Sequence, residues 1–255
     1  MIALSFDVEQ DLHSEKYKSL ELGIPRLLKV LDKRKIKVCF FVPAKLIEKF
    51  PDYFRDLENQ GHEIALHGYE HERFDDLDFE EKEMRIKGSV KIYRKVFGKN
   101  PCGFRAPQHS IDEDTLKILK KNKFVYDSSY TPLNFLQLLF FPKRIKLWWR
   151  SFFGKRKVYG LNKGFYEIPL SSFFIPFVSL PLRIFSKRIL KVYLYFLKMF
   201  NKDLVFYAHS WDFIKLPESR IDRNFSYETL IDNLDFIVND FYKDEKFVKM
   251  GDLIK

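Results

Sequence analysis

Six histidines occur in the chain, His13, His62, His67, His71, His109 and His209, and two of them stand four residues apart in the segment HGYEH. Imidazoles at this spacing can face one point if a helical turn follows a strand. Zinc and similar ions accept such a pair with a carboxylate as third ligand and an open position for water. Glu70 precedes His71 instead of following His67, so the segment is not the HExxH of metalloproteases. Taken alone, the spacing is a weak signal that more often marks two partly exposed histidines.

Three further segments carry chemistry-bearing residues. SFDVEQD supplies Asp7, Glu9 and Asp11. In an extended chain Asp7 and Glu9 point to the same side and could both reach one metal-bound water, although a solvated loop start would also be acidic. In GFRAPQHS, Arg105 could hold a carboxylate in its ionised form or make an ordinary structural ion pair. FYAHSWD places His209 after an apolar run as a candidate general acid, with Asp127 or Asp212 available to orient it. The alternative there is a core-edge histidine bonded to backbone.

The elements that must position these groups are legible as alternating patterns. Short apolar runs at 2–6, 38–42, 63–66, 103–105, 124–126, 204–208 and 247–249 read as strands. Amphipathic stretches at 20–33, 45–59, 79–97 and 227–242 read as helices, with a further helix opened by Ser110 or Asp112. Nearly all the histidines fall at or just beyond a strand end, where parallel α/β folds build their active sites. The order predicts an α/β fold with a parallel sheet or barrel, as a single domain over residues 1–255.

Residues 132–202 break this rhythm and read as an insertion. They hold 12 phenylalanines and the pair Trp148 and Trp149, interrupted by Pro142, Pro169, Pro176 and Pro181. The best apolar run, 168–182, carries three prolines and is shorter than the roughly 20 residues a membrane span needs. Between Asp127 and Asp203 there are 14 Lys or Arg against one acid, Glu167, which concentrates the chain's net charge of +10 in one stretch. Segments 143–157 and 187–202 fit a surface lying in the headgroup region of an anionic membrane, where a lipid-linked substrate would be presented. Nucleic acid is the competing anionic partner, and an insertion that packs its rings on the barrel while its lysines are solvated is the plain alternative.

Hydrophobic residues make up 46% of the chain and charged residues 31%, enough to bury a sizeable core and to exclude wholesale disorder. Cys39 and Cys102 stand outside any CxxC pair and read as reduced structural thiols. The start MIALSFDVEQ lacks the pattern of a secretory signal. The expected location is the cytoplasm, peripheral at the inner face of the membrane if residues 132–202 bind lipid.

Taken in order, SFDVE, HGYEH, FRAP, YDSS and YAHSW resemble the motifs of the polysaccharide deacetylases, carbohydrate esterase family four or the NodB-homology domain. VCFFVPA, GHEIALHGYEH and NKFVYDSS are similar to the same family, and the resemblance covers about residues 1–130 and 203–255. It implies a distorted (β/α) barrel, one divalent metal ion of which zinc is the first choice, and removal of an N-acetyl group from an amino sugar of a polysaccharide, oligosaccharide or lipid-linked glycan. Carried over residue by residue, it implies His67, His71 and a carboxylate as metal ligands, Asp7 as base held ionised by Arg105, and His209 as acid oriented by Asp127. The family's first motif has two adjacent aspartates. Val8 occupies the second position here, leaving Glu9 as the replacement ligand, with Asp7 as the alternative. A deformylase on the same scaffold and a non-catalytic glycan- or lipid-binding barrel are the rival readings.

Overall fold

The computed structural model describes residues 1–11, 16–132, 154–216 and 224–254. Strand β1 (Ile2–Asp7) is buried along its whole length, as is β2 (Cys39–Val42). Near-continuous apolar runs of this kind suit parallel strands covered on both faces. They are followed by β3 (Glu63–Leu66), β4 (Gly103–Phe104), β5 (Tyr126–Asp127), β6 (Tyr159–Asn162) and β7 (Phe165–Glu167). A short hairpin, β8 (Ser172–Phe173) and β9 (Ile175–Pro176), precedes β10 (Leu204–His209) and β11 (Phe247–Val248). The main sheet runs β10-β1-β2-β3-β4-β5-β7-β6, with β11 also paired to β1, and every pairing is parallel except β6 with β7.

The helices follow from local signals. Helix α1 (Ile24–Asp32) buries Ile24, Leu27, Val30 and Leu31. The stretch 45–59 forms two helices, α2 (Ala44–Lys49) and α3 (Pro51–Asn59), instead of the one its periodicity predicts. Pro51 is the reason: it supplies no N–H and pushes Phe50 out of helical geometry, to φ −128° and ψ 56°. Helix α4 (Phe79–Phe97) opens on a reciprocal cap between Asp78 and Glu81 and stops at Gly98 in the left-handed conformation. Helix α5 (Glu113–Lys121) is capped by Asp112. Later come α6 (Ser179–Ile184), α7 (Lys187–Phe200) and α8 (Tyr227–Asp235), the last continued by a wider turn over Phe236–Phe241.

The described part of the stretch read as an insertion is woven into the barrel. After β7, Ile168 N–H donates to Asp127 O at 2.8 Å and Leu170 N–H to Tyr130 O at 2.9 Å. A few residues on, Ser171 N–H donates to Val205 O at 3.1 Å and Phe177 O accepts from Tyr207 N–H at 3.0 Å. One segment thus touches β5 on one side and β10 on the other, and brings the two ends of the parallel sheet together as a distorted (β/α) barrel. Helix α7 covers the hairpin from outside and buries Leu190, Tyr193, Leu194 and Leu197, while α6 lies against β10. Trp148 and Trp149, with the basic segment around them, lie outside the described residues, as does His13. Cys39 is buried and Cys102 exposed, and both are free thiols.

Candidate active site

The chemistry-bearing residues converge where the strands end. Asp7 closes β1 and His209 closes β10, and the parallel register sets them side by side. His67 follows β3, and its N–H is fixed to Val42 O at 2.9 Å. HGYEH makes no helical turn, contrary to the sequence expectation. The chain reverses through Gly68 at φ +77° and His71 at φ +79°. A side chain on Gly68 would press on the Pro107 ring at 3.1 Å, so that position requires glycine twice over. A non-glycine residue held in this region is strained, and strain of this kind concentrates at functional sites. Glu72 steadies the loop by accepting from Tyr69 N–H at 2.9 Å and Glu70 N–H at 2.7 Å, while Glu70 turns outward to Arg85 at 2.9 Å.

Glu9, His67 and His71 are grouped so that they could hold a metal ion: one donor atom from each lies within 4.8 Å of the others. His71 Nε2 contacts Glu9 Oε2 directly. His67 Nδ1 lies 2.8 Å from Arg105 O. A carbonyl only accepts, so this nitrogen carries the proton and Nε2 turns its lone pair to the cluster. Two imidazoles and one carboxylate, with an open side toward solvent, fit a divalent ion such as zinc. The open side is a cleft of about 850 Å³ lined by Glu9, Tyr17, Lys45, Lys49 and His71 among others, within the range that accommodates small ligands. Val8 is buried in the core, so strand alternation itself delivers Glu9 to the cluster.

Asp7 bridges this cluster and Arg105. Its Oδ1 accepts from Arg105 Nη1 at 2.8 Å, and its Oδ2 lies 3.5 Å from His67 Nε2. The rest of the guanidinium donates to Ser5 Oγ at 2.9 Å, Ser128 O at 2.9 Å and Ser128 Oγ at 3.1 Å, and lies over the Phe41 ring. Burial alone would raise the Asp7 pKa, but His67 and Arg105 outweigh it and hold the carboxyl below its ordinary value. Glu9 is likewise pushed up by burial and pulled down by the His71 hydrogen bond, to about 2.

His209 is oriented by Asp212, not by Asp127. Its Nδ1 lies 3.6 Å from Asp212 Oδ2, which also accepts the His209 N–H at 2.9 Å. Burial would lower the His209 pKa; the Asp212 carboxylate, with Glu9 and Asp7, more than offsets it, and the net shift is upward. Asp127 is turned away by sheet register, which pairs it with Glu167 on β7. There it accepts from Ser129 N–H at 3.1 Å and Ser129 Oγ at 2.8 Å. Burial raises its pKa.

Three aromatic or imidazole groups escaped the sequence reading of this site. Trp211 stacks on His209 with ring centroids 4.1 Å apart and donates its Nε1–H to Glu9 Oε1 at 3.1 Å. Tyr207 Oη lies 2.6 Å from His209 Nε2. His109 is held through Nδ1 by Ser129 O at 3.0 Å and packs edge-on against Tyr207. Residues two apart on one strand face the same way, a signal that could have drawn Tyr207 to His209 within FYAHSWD.

A family model described as polysaccharide deacetylase matches residues 1–126, the segment that contributes Asp7, Glu9, His67, His71 and Arg105. Over these residues, just under half of the chain, the sequence is similar to the polysaccharide deacetylase family. A peptidoglycan deacetylase-like protein of Gibberella zeae is 40% identical over 110 residues, covering 42% of this chain and 32% of its own length. The peptidoglycan deacetylase of Helicobacter pylori is 35% identical over 109 residues, 43% of this chain and 37% of its own. The matches therefore span about a third of the length of these curated relatives. Among solved structures, PuuE allantoinase superposes with a TM-score of 0.64 at 16% identity, over 99% of this chain and 88% of its own. A CE4 family pseudoenzyme from Bacillus anthracis does so with a TM-score of 0.57 at 13% identity, over 100% of this chain and 65% of its own. These likenesses speak for the polysaccharide deacetylase fold. One scaffold carries differently named activities, and a pseudoenzyme, so its site residues must decide what this chain does.

Proposed function

We propose that the chain is a metal-dependent hydrolase that removes the N-acetyl group from an amino sugar of a glycan. The observation that carries this reading is the convergence of Glu9, His67 and His71 within 4.8 Å of one another, beside an Asp7 whose Oδ1 is bound by Arg105 and whose Oδ2 lies 3.5 Å from His67 Nε2. The relatives' names support the substrate class, since one is a peptidoglycan deacetylase and the other a peptidoglycan deacetylase-like protein.

Glu9, His67 and His71 would hold a divalent ion, which when bound would supply Lewis acidity to lower the pKa of water and polarise an amide carbonyl. The protein's own residues divide the proton work. Asp7 is the base: Arg105 keeps it ionised, and it receives the proton that water loses on adding to the acetamide carbon. His209 is the acid: Asp212 favours its imidazolium, which gives a proton to the sugar nitrogen as the C–N bond breaks, releasing acetate and the free amine. Trp211 braces both His209 and Glu9, so the acid and the metal cage move as one unit.

The test is acetate and formate release from N-acetylglucosamine oligomers, peptidoglycan fragments and their N-formyl counterparts, with and without chelator. Chelator-sensitive acetate release supports the proposal. Formate in its place assigns a deformylase, and stoichiometric metal with neither product assigns a glycan-binding barrel.

A further inference from the structure

Helix α7 is apolar on two sides. Its inner side packs on the barrel, while Ile189, Val192, Phe196 and Met199 step along the outer side at intervals of three, four and three residues. Ile189, Val192 and Met199 are each more than half exposed, as is Tyr195 beside them. The stripe continues off the helix. Phe173 stacks on Phe196 and Phe200 with centroids 5.3 and 4.8 Å apart, and Phe174 stands half exposed at the tip of the β8–β9 hairpin. Phe174 is held at φ +59°, a conformation that costs energy for an aromatic residue and here turns its ring outward.

The charge carried by the helix itself has one sign. Residues 187–202 carry Lys187, Arg188, Lys191, Lys198 and Lys202 and no acid. Lys198 is tied to Glu245 at 3.0 Å, and Arg156 lies over the Phe200 ring at 5.8 Å. A helix of 14 residues rises about 21 Å, short of the roughly 30 Å hydrocarbon core of a bilayer. No helix among the described residues is long and apolar enough to cross a membrane. Apolar side chains flanked by lysines and arginines that reach headgroups are the pattern of a helix lying in the interface.

We propose that the outer face of α7, with Phe174, docks the protein on an anionic lipid bilayer. The charge complementarity selects this occupant over a neutral protein surface, and the proposal is independent of the reaction assigned to the site.

Flotation of the full chain with phosphatidylglycerol–phosphatidylcholine vesicles, and with phosphatidylcholine alone, tests it. The chain is expected to float with the anionic vesicles only, and its bound fraction should fall on the order of tenfold between ~0.1 and ~0.5 M salt as the headgroup charge is screened. The double variant Val192→Glu, Met199→Glu should lose flotation with its melting temperature unchanged. Met84→Glu, at an exposed methionine on α4, should float as the parent does. Any one of four results overturns the proposal: no flotation of the parent, flotation that survives the double variant, equal loss in Met84→Glu, or a self-associated chain that the double variant turns monomeric. A marked fall in the double variant's melting temperature would likewise overturn it, assigning the stripe to packing within the chain.

Discussion

Arg105 Nη1 reaches Asp7 Oδ1 at 2.8 Å across 98 residues of sequence, with both side chains shut away from solvent. Removing one partner of such a pair leaves an uncompensated buried charge and typically costs about 3–5 kcal/mol, while removing both is far milder. Arg105→Leu should therefore lose about 3–5 kcal/mol of unfolding free energy in urea titrations at neutral pH. Adding Asp7→Leu should recover a large part of it, and a double variant no more stable than the single one would refute the pairing as the source.

The ligand set makes its own thermodynamic prediction. A ligand that binds only the folded state at about 100 times its Kd stabilises by about 2.7 kcal/mol. Zinc at that excess should raise the melting temperature of the parent and leave His71→Ala and Glu9→Ala unmoved. Elemental analysis should find about one ion per parent chain and none in His67→Ala. Stoichiometric metal in the His67 variant would remove the centre from the site described.

The pH profile should report the acid. Asp212 raises the His209 pKa above its ordinary 6.5, and an acid works only while protonated, so activity should fall as pH rises through that raised value. Asp212→Asn removes the stabilising carboxylate and should carry this alkaline limb to lower pH. A limb that stays in place in Asp212→Asn would assign it to another group.

A second histidine should govern acid stability. His62 is buried, accepts from Val38 N–H at 3.2 Å through Nδ1, and has its pKa lowered by burial to about 4. The folded state thus resists a proton that the unfolded chain accepts below 6.5. Stability present above that value is lost as pH falls toward 4, by roughly 3 kcal/mol in all. Urea titrations of His62→Gln should show a flatter slope over this window, whatever its stability at neutral pH.

Much of the scaffold was legible because local signals and burial agreed. Helix α4 runs over the residues its pattern predicts because Asp78 and Glu81 cap one end and Gly98 the other. Strands β1 and β3, with β10, stand where apolar runs put them. The helix over 45–59 failed at Pro51, a local signal outranked by periodicity in the reading. In the site, alternation alone aimed Asp7 and Glu9 the same way. The turn through Gly68 and His71, the assignment of Asp212 in place of Asp127, and the Trp211 brace depend on φ values and on register between distant strands, which spacing does not encode. Residues 154–202 were hardest, because a strand that closes a barrel edge and an insertion that packs on it look alike in composition.

The adjacency of β1 and β10 has a temporal side. A ribosome delivers Asp7 and Glu9 first, and His209, Trp211 and Asp212 emerge some 200 residues later, on a strand that must find its place beside β1. Contacts of such separation form late. The pairing that sets His209 beside Asp7 thus depends on most of the chain having been made, and a chain interrupted before β10 would carry Glu9, His67 and His71 without His209, Trp211 and Asp212.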